Sequence, residues 1–360
     1  MKAHGMVLAA VLGAVLAGGT TASAATVEVL ASGIDNPRHV AVGPDGAVYV
    51  ATAGRAGTRC QGKGEDRTCI GMTSRVLRLG ADGAKTVVAG GLPSIGAPGG
   101  VFTVGIDGVS VRPDGRVLAV MTSATPEEVR AVPAAVRSRV GRLFDVTGGS
   151  AAEVADVSAY EWANNPDRVR GDRNSNPYAV LALPDRTLVA DAGGNAIYSI
   201  AADGTLSLLA VIPKNGRDQA VPSSLALGPD GNVYVGELAE GAGRGKARVW
   251  RIPLSGAATP TVAASGFTTI TGLAFGPDRS MYVTELMTNP RKQDFAGDVV
   301  RVAPDGTRTR LGAGTLFAPQ GAAVDAAGAL YVSNWSVLPA RTPRRSPFKG
   351  AGGQVVRITP

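Results

Sequence analysis

Acids and amides recur at matching places along this chain of 360 residues. Asp191, Glu237, Glu285 and Asn334 each close a short apolar run of the Tyr-Val type, and Thr52 and Met121 stand at the two other equivalent places. Three carboxylates and an amide gathered at one point could hold a divalent cation such as calcium, which takes several hard oxygen ligands. The blander expectation, and the preferred one, is that each accepts bonds from the turn that follows it, as Asx residues at strand ends do. A second set precedes the apolar runs: Arg38, Asp107, Tyr178, Ser223, Thr271 and Gln320. All six are polar or amphipathic, and contact with a ligand stands level with plain filling of an interior channel.

Histidine is nearly absent. Beyond His4 only His39 remains, so multi-histidine zinc chemistry is excluded and a Ser-His-Asp mechanism would have to use His39. His39 follows Arg38 and could face inward, but a packed or hydrogen-bonded structural role is the expectation. The cluster Asp167, Asp172, Asn174 and Asn176 could bind calcium, with ordered turns as the preferred reading; Glu161 and Trp162 are expected to pack an insertion against the rim. The only cysteines are Cys60 and Cys69. Their spacing is not C-x-x-C and no histidine is near, so one disulfide stapling a loop is expected in an oxidising compartment.

The elements that carry these residues are short strands separated by turn signals. Ser175 to Ile200 shows the design: three apolar runs broken by Pro184-Asp185-Arg186 and by Gly193-Gly194-Asn195, a meander of antiparallel strands. The turn recurs at Gly43-Pro44-Asp45-Gly46, Arg112-Pro113-Asp114-Gly115, Gly228-Pro229-Asp230-Gly231, Gly276-Pro277-Asp278-Arg279 and, degenerate, Asp325-Ala326-Ala327-Gly328. The last four copies are spaced by roughly 45–50 residues, the range of propeller blades. The first two are lengthened by insertions at about 54–74 and 124–174. In the second insertion Thr125-Pro126-Glu127-Glu128 predicts a helix from an N-cap to about Arg139, and Ala159 to Asn174 reads as irregular. The last copy ends with its third strand, Gln354 to Ile358. Thr26 to Leu30 is expected to return as the fourth and close the ring, which removes exposed sheet edges. The predicted fold is all-β: six four-stranded antiparallel blades forming one domain over 25–360.

The first 24 residues read as a secretory signal peptide: Lys2 and His4, the apolar run Met6 to Ala17, then Ala22-Ser23-Ala24 with cleavage after Ala24. The expected product is exported to the envelope or the medium, with no membrane span and as a monomer. Formal net charge is +7, but the cations are scattered among acids with no long basic run, which argues against nucleic-acid binding.

Four segments carry a family resemblance: Gly33 to Val50, Ala155 to Pro166, Asn174 to Asn195 and Val221 to Glu237. The chain resembles the ScyD/ScyE family of secreted bacterial proteins, within the six-bladed NHL-like and SMP-30/gluconolactonase-like propellers. The resemblance implies fold and export; the family has no assigned reaction. Gluconolactonase-like relatives imply a Glu, an Asn and an Asp around a divalent metal, and the place of that Glu looks like Asp35-Asn36-Pro37, where no Glu stands. The segment Asn36 to Val50 also resembles quinoprotein sugar dehydrogenases, which implies a channel histidine as base; only His39 could serve. The leading expectation is a binding propeller presenting the Arg38-to-Gln320 rim to a small polar ligand or a protein segment. The alternatives are a metal-dependent hydrolase or lactonase using Asp191, Glu237, Glu285 and Asn334, and an envelope scaffold with no ligand.

Overall fold

The computed structural model describes residues 25–64, 67–214, 216, 218–254, 259–292 and 295–360. The signal-peptide reading of residues 1–24 lies outside them. Strand β1 (Thr26–Ile34) belongs to the last blade. Blade 1 comprises β2 (Pro37–Val42), β3 (Val48–Thr52), the short β4 (Arg59–Gln61), β5 (Thr68–Leu79) and β6 (Lys85–Gly96). Blade 2 comprises β7 (Ile106–Val111), β8 (Val117–Met121), β9 (Arg142–Asp145) and β10 (Ala152–Asp156). Helices α1 (Pro126–Ala131) and α2 (Ala134–Arg137) interrupt blade 2, and α3 (Val157–Asn164) follows it. Blade 3 is β11 (Pro177–Ala182), β12 (Arg186–Asp191), β13 (Ala196–Ala201) and β14 (Leu206–Val211). Blade 4 is β15 (Pro222–Leu227), β16 (Val233–Glu237), β17 (Ala247–Ile252) and β18 (Thr261–Phe267). Blade 5 is β19 (Ile270–Phe275), β20 (Met281–Glu285), β21 (Ala296–Val302) and β22 (Arg308–Phe317). Blade 6 opens with β23 (Gln320–Val324), β24 (Leu330–Asn334) and β25 (Gly353–Thr359), and β1 pairs antiparallel with β25 from Thr26–Thr359 to Ile34–Gly353. The expected ring closure is therefore present.

The sequence makes these strands for a simple reason. A propeller blade is covered on both faces by its neighbours, so its second strands are buried almost throughout, as in β8 and β12, whereas the outermost β18 is largely exposed and β14 only partly buried. Among the described residues six of the hydrophobic clusters lie one at each junction: Val76 shares one with Phe144 between blades 1 and 2, and Leu143 one with Tyr198 between 2 and 3. Ile197 meets Trp250 between 3 and 4, and Val249 meets Val283 between 4 and 5. Val299 meets Val356 between 5 and 6, and Leu77 meets Val355 between 6 and 1. The Pro-Asp-Gly turns work as the residue types require. In the first, Gly46 takes φ +73 and the Asp45 carboxylate accepts from the Ala47 N–H at 3.2 Å.

The insertions differ from expectation in two places. Thr125 caps α1 with a capping box, but the single helix to Arg139 is broken at Pro133, which lacks an N–H and forces Val132 into extended backbone (φ −86°, ψ 158°). The segment read as irregular from Ala159 begins inside α3, which Asp156 caps through the Ala159 N–H at 3.0 Å. Within the region 124–174, β9 and β10 return to complete blade 2. Cys60 and Cys69 face each other across the β4–β5 pair and form the expected disulfide. In this topology the links from second to third strand, and from fourth strand to the next blade, lie at the end of the ring where the inner strands begin. The β4–β5 hairpin, α1–α2 and α3 are all such links, so all rise from one face.

Candidate functional site: the channel mouth

Each of the six rim residues begins an inner strand, so the ring brings them to one mouth of the central channel. They divide into two groups. Arg38 and Asp107 are buried beneath the surface, paired at 3.2 Å. The Arg38 guanidinium also donates to the Ser336 carbonyl at 3.1 Å and to that of Thr103, tying blade 1 to blade 6 and to the entry of blade 2. Burial pushes the Asp107 carboxyl up to about 6, and Arg38 holds it below what burial alone would give. Tyr178, Ser223, Thr271 and Gln320 instead line an open recess of about 180 Å³ together with Asn176 and Glu240, on apolar walls of Ala192, Val221, Leu238 and Leu286.

The hydrogen bonds inside the recess decide what it offers. The Tyr178 hydroxyl donates to Gln320 Oε1 at 3.0 Å, leaving the Gln320 amide N–H groups to donate. The Ser223 hydroxyl is spent on the Ile270 carbonyl at 2.6 Å, and that of Thr271 on Pro319 at 2.9 Å, so what either oxygen has left to offer is acceptance. Asn176 Oδ1 accepts from Thr122 at 2.6 Å, leaving its N–H groups as donors. Glu240 is the one carboxylate lining the recess. Neither Asn176 as a recess donor nor Glu240 was legible as a rim residue: Glu240 follows its strand by several residues and carries no repeat signal.

His39 is structural, as expected. Its Nδ1 lies 2.8 Å from the Asp107 carbonyl and its Nε2 3.0 Å from that of Ser223, and its ring meets Tyr178 edge-on at 5.2 Å. Both partners are carbonyls, which only accept, so the neutral ring donates to one of them at a time and is held in place between the two. Burial lowers its pKa, against the raising effect of the two carbonyls. Beyond it the other end of the channel is mainly apolar, about 200 Å³.

The second ring does not converge. Asp191 accepts from the Ser175 hydroxyl at 2.7 Å and from the N–H groups of Asn176, Gly193 and Gly194 at 2.6, 3.1 and 3.0 Å. Glu237 is gripped by Arg248 at 2.7 Å and by the Trp250 indole at 2.8 Å. Glu285 accepts from the Thr268 N–H at 2.6 Å and pairs with Arg310 at 2.9 Å. Asn334 accepts from the Phe317 N–H at 2.7 Å. Each bonds groups in its own blade or in the link beside it, Asn334 reaching the end of β22 in blade 5, because a side chain at the end of a second strand points along the sheet and not into the channel. These bonds are of the kind the preferred reading describes; the metal alternative would need the four side chains to converge, and they do not. Asp167 and Asp172 likewise cap their own turns, accepting from Val169 and Asn174 N–H groups at 3.0 and 3.1 Å. At the position of the implied metal-binding Glu, Asn36 is fully buried and donates to the Gly54 and Gly100 carbonyls at 2.8 and 2.7 Å. Among the described residues no three His, Cys, Asp or Glu side chains could share a metal ion. The recess supplies one carboxylate, and Asp107 is already neutralised by Arg38; this donor set does not fit a tightly held divalent cation.

Glu161, expected to pack its insertion, accepts from the Tyr198 hydroxyl at 2.6 Å in a buried pair close to Asp191. Burial first, then the neighbouring acids, raise its carboxyl to about 7. Between the unfolded value near 4.5 and about 7 the folded chain therefore holds a proton that the unfolded chain releases. This group stabilises the fold fully below that window and its contribution disappears as pH rises through it. Unfolding measured from pH 5 to 8 should show Glu161→Gln losing less stability than wild type; parallel profiles would contradict the shift.

The profile of the SMP-30/gluconolactonase/LRE-like region matches residues 144–360, well over half of the chain. The chain belongs to this family. No curated protein is detectably similar in sequence. Among solved structures, the calcium-binding protein regucalcin from Agrobacterium tumefaciens is 13% identical, with 92% of this chain and 93% of that one covered and a TM-score of 0.54. Virginiamycin B lyase from Staphylococcus aureus is 16% identical over 93% and 99%, with a TM-score of 0.53. The PQQ-bound aldose sugar dehydrogenase from Streptomyces coelicolor is 15% identical over 94% and 98%, also at 0.53. At such identities these likenesses speak for the fold alone.

Proposed function

We propose that this family member is an exported binding propeller that takes a small, neutral, hydroxyl-bearing ligand in the channel-mouth recess. One observation carries the reading: the recess pairs amide donors from Gln320 and Asn176 with hydroxyl acceptors from Ser223 and Thr271 on apolar walls. Alternating donors and acceptors match hydroxyl groups, which both give and accept. About 180 Å³ suits a ligand of sugar or lactone size and not a large one. The Asn174–Asn195 segment supports placing the chain with ScyD/ScyE-type proteins, and the apolar leader ending in Ala22-Ser23-Ala24 supports export.

Leu238 half-exposes its side chain at the recess wall, so Leu238→Trp fills the recess without touching a junction core. Monosaccharides, polyols and aldonolactones are screened by thermal unfolding. The expected result is a ligand that raises the midpoint of wild type and leaves Leu238→Trp unmoved. No response from any of these classes would sink the proposal. Membership of the gluconolactonase-like family favours a second reading, a divalent-metal-dependent lactonase. Lactone turnover that requires calcium, with Glu240→Ala removing it, would replace the binding reading.

A further inference from the structure

Cations are distributed unequally between the two faces of the ring. On the face of the Pro-Asp-Gly turns three are neutralised by the turn aspartates: Arg78 pairs with Asp45, Arg251 with Asp230 and Arg301 with Asp278, each at 2.7 Å. The mouth face is different over blades 5 and 6. There the link 286–295 carries Arg291 and Lys292, and the link 335–352 carries Arg341, Arg344, Arg345 and Lys349. All six are exposed, and none forms an ion pair among the described residues. The link 335–352 contains no acid; 286–295 contains one, Asp294.

Rings from these two links, from the end of β22 and from the link between blades 1 and 2 form an aromatic run. Trp335 stacks on Phe317 at 4.2 Å, Phe317 meets Phe295 at 5.7 Å, and Phe295 meets Phe102 at 5.7 Å. Phe102 ends the run in solvent, 48% exposed, with Val104 beside it in sequence at 40%. Its backbone is held left-handed (φ +53°), with its N–H bonded to the Val337 carbonyl at 2.8 Å. A bulky residue in that conformation is uncommon, and packing on Phe295 leaves about half of Phe102 facing solvent.

We propose that this half of the mouth face docks on an anionic lipid bilayer. The unpaired cations would meet the headgroups while Phe102 and Val104 enter the boundary with the acyl chains. Cations alone would serve any polyanion; the fixed, exposed phenylalanine at their edge favours a surface with an apolar layer beneath its charge. The other mouth-face links also carry exposed cations, Arg59, Arg137, Arg168, Arg170 and Arg173 among them, but mixed with Glu127, Glu128, Asp167, Asp172 and Glu240, so the acid-poor part of the face is that of blades 5 and 6 and their border with blade 1.

Co-sedimentation of the leaderless chain with vesicles tests this. Binding is expected to vesicles of phosphatidylcholine with roughly one third phosphatidylglycerol and not to phosphatidylcholine alone, weakening as salt rises. Replacing Arg341, Arg344, Arg345 and Lys349 together with Ser should weaken binding on the order of a hundredfold or more. Phe102→Ser should weaken vesicle binding by roughly tenfold while leaving binding to soluble polyphosphate unchanged. The four cations are exposed and unpaired, so the Ser variant folds and is decisive even if Phe102→Ser disturbs Phe295. Absence of binding to anionic vesicles at low salt overturns the proposal. So does equal binding to the neutral vesicles, or an unaltered vesicle affinity in both variants. Polyphosphate bound as tightly as vesicles, with Phe102→Ser without effect, would assign the surface to soluble polyanions, nucleic acid included, and overturn it equally.

Discussion

Arg38→Met is expected to cost about 3–5 kcal/mol of stability, the loss that follows when one partner of a buried ion pair is removed. The guanidinium touches three blades: Asp107 in blade 2, the Thr103 carbonyl before it and the Ser336 carbonyl in blade 6. Without it Asp107 is left buried with no cation, and two carbonyls lose their donor. Arg38→Met combined with Asp107→Leu should recover much of the loss, because the uncompensated carboxylate goes with its partner. Urea unfolding of wild type, both single variants and the double variant measures the coupling. If Arg38→Met unfolds as wild type does, the ion pair is not what joins these blades. The pH dependence has a defined sign. Asp107 titrates near 6 in the folded chain, so its protonation favours the fold and this contribution declines as pH rises from about 4 to about 6.

Asp191→Ala is expected to be nearly as costly, about 3–5 kcal/mol, since a single buried carboxylate satisfies three backbone N–H groups and the Ser175 hydroxyl. Asp191→Asn keeps one acceptor oxygen in place and should lose less. This pair of variants also separates the two readings of the second ring. If Asp191 only orders its turn, calcium leaves the unfolding midpoint of wild type where it was, and the loss in Asp191→Ala is the same with and without the ion. If the residue were a metal ligand, calcium would raise the wild-type midpoint and the variant would forfeit that rise.

The behaviour of the two rings explains what can be read from a repeat. Residues at equivalent places in six copies must occupy equivalent places around an axis, so the six rim positions were legible as a set. The repeat is blind to side-chain direction. Asp191, Glu237 and Glu285 share a strand position as plainly as Tyr178, Ser223 and Thr271 do, yet the first three turn to partners in their own blades. Carboxylates are drawn to the nearest N–H groups and cations, and those lie within each blade, closer than the axis. The rim itself was only partly anticipated: burial withdraws Arg38 and Asp107 from the recess, and Glu240 enters it from a loop outside the repeat.

The sequence by itself determined the architecture: number of blades, turn chemistry, the Cys60–Cys69 staple and the return of Thr26 to Leu30 as the closing strand beside β25. These rest on local signals, strand periodicity and turn residues, repeated often enough to be unambiguous. Tertiary structure alone decided the chemistry. It placed Arg38 against Asp107 across a span of sequence in which nothing marks them as partners, set His39 between the Asp107 and Ser223 carbonyls, and left the cations of the link 335–352 without an ion pair among the described residues. The reason is physical: a strand's existence depends on neighbours along the chain, whereas a side chain's role depends on which charges and dipoles the closed ring brings within a few ångströms of it.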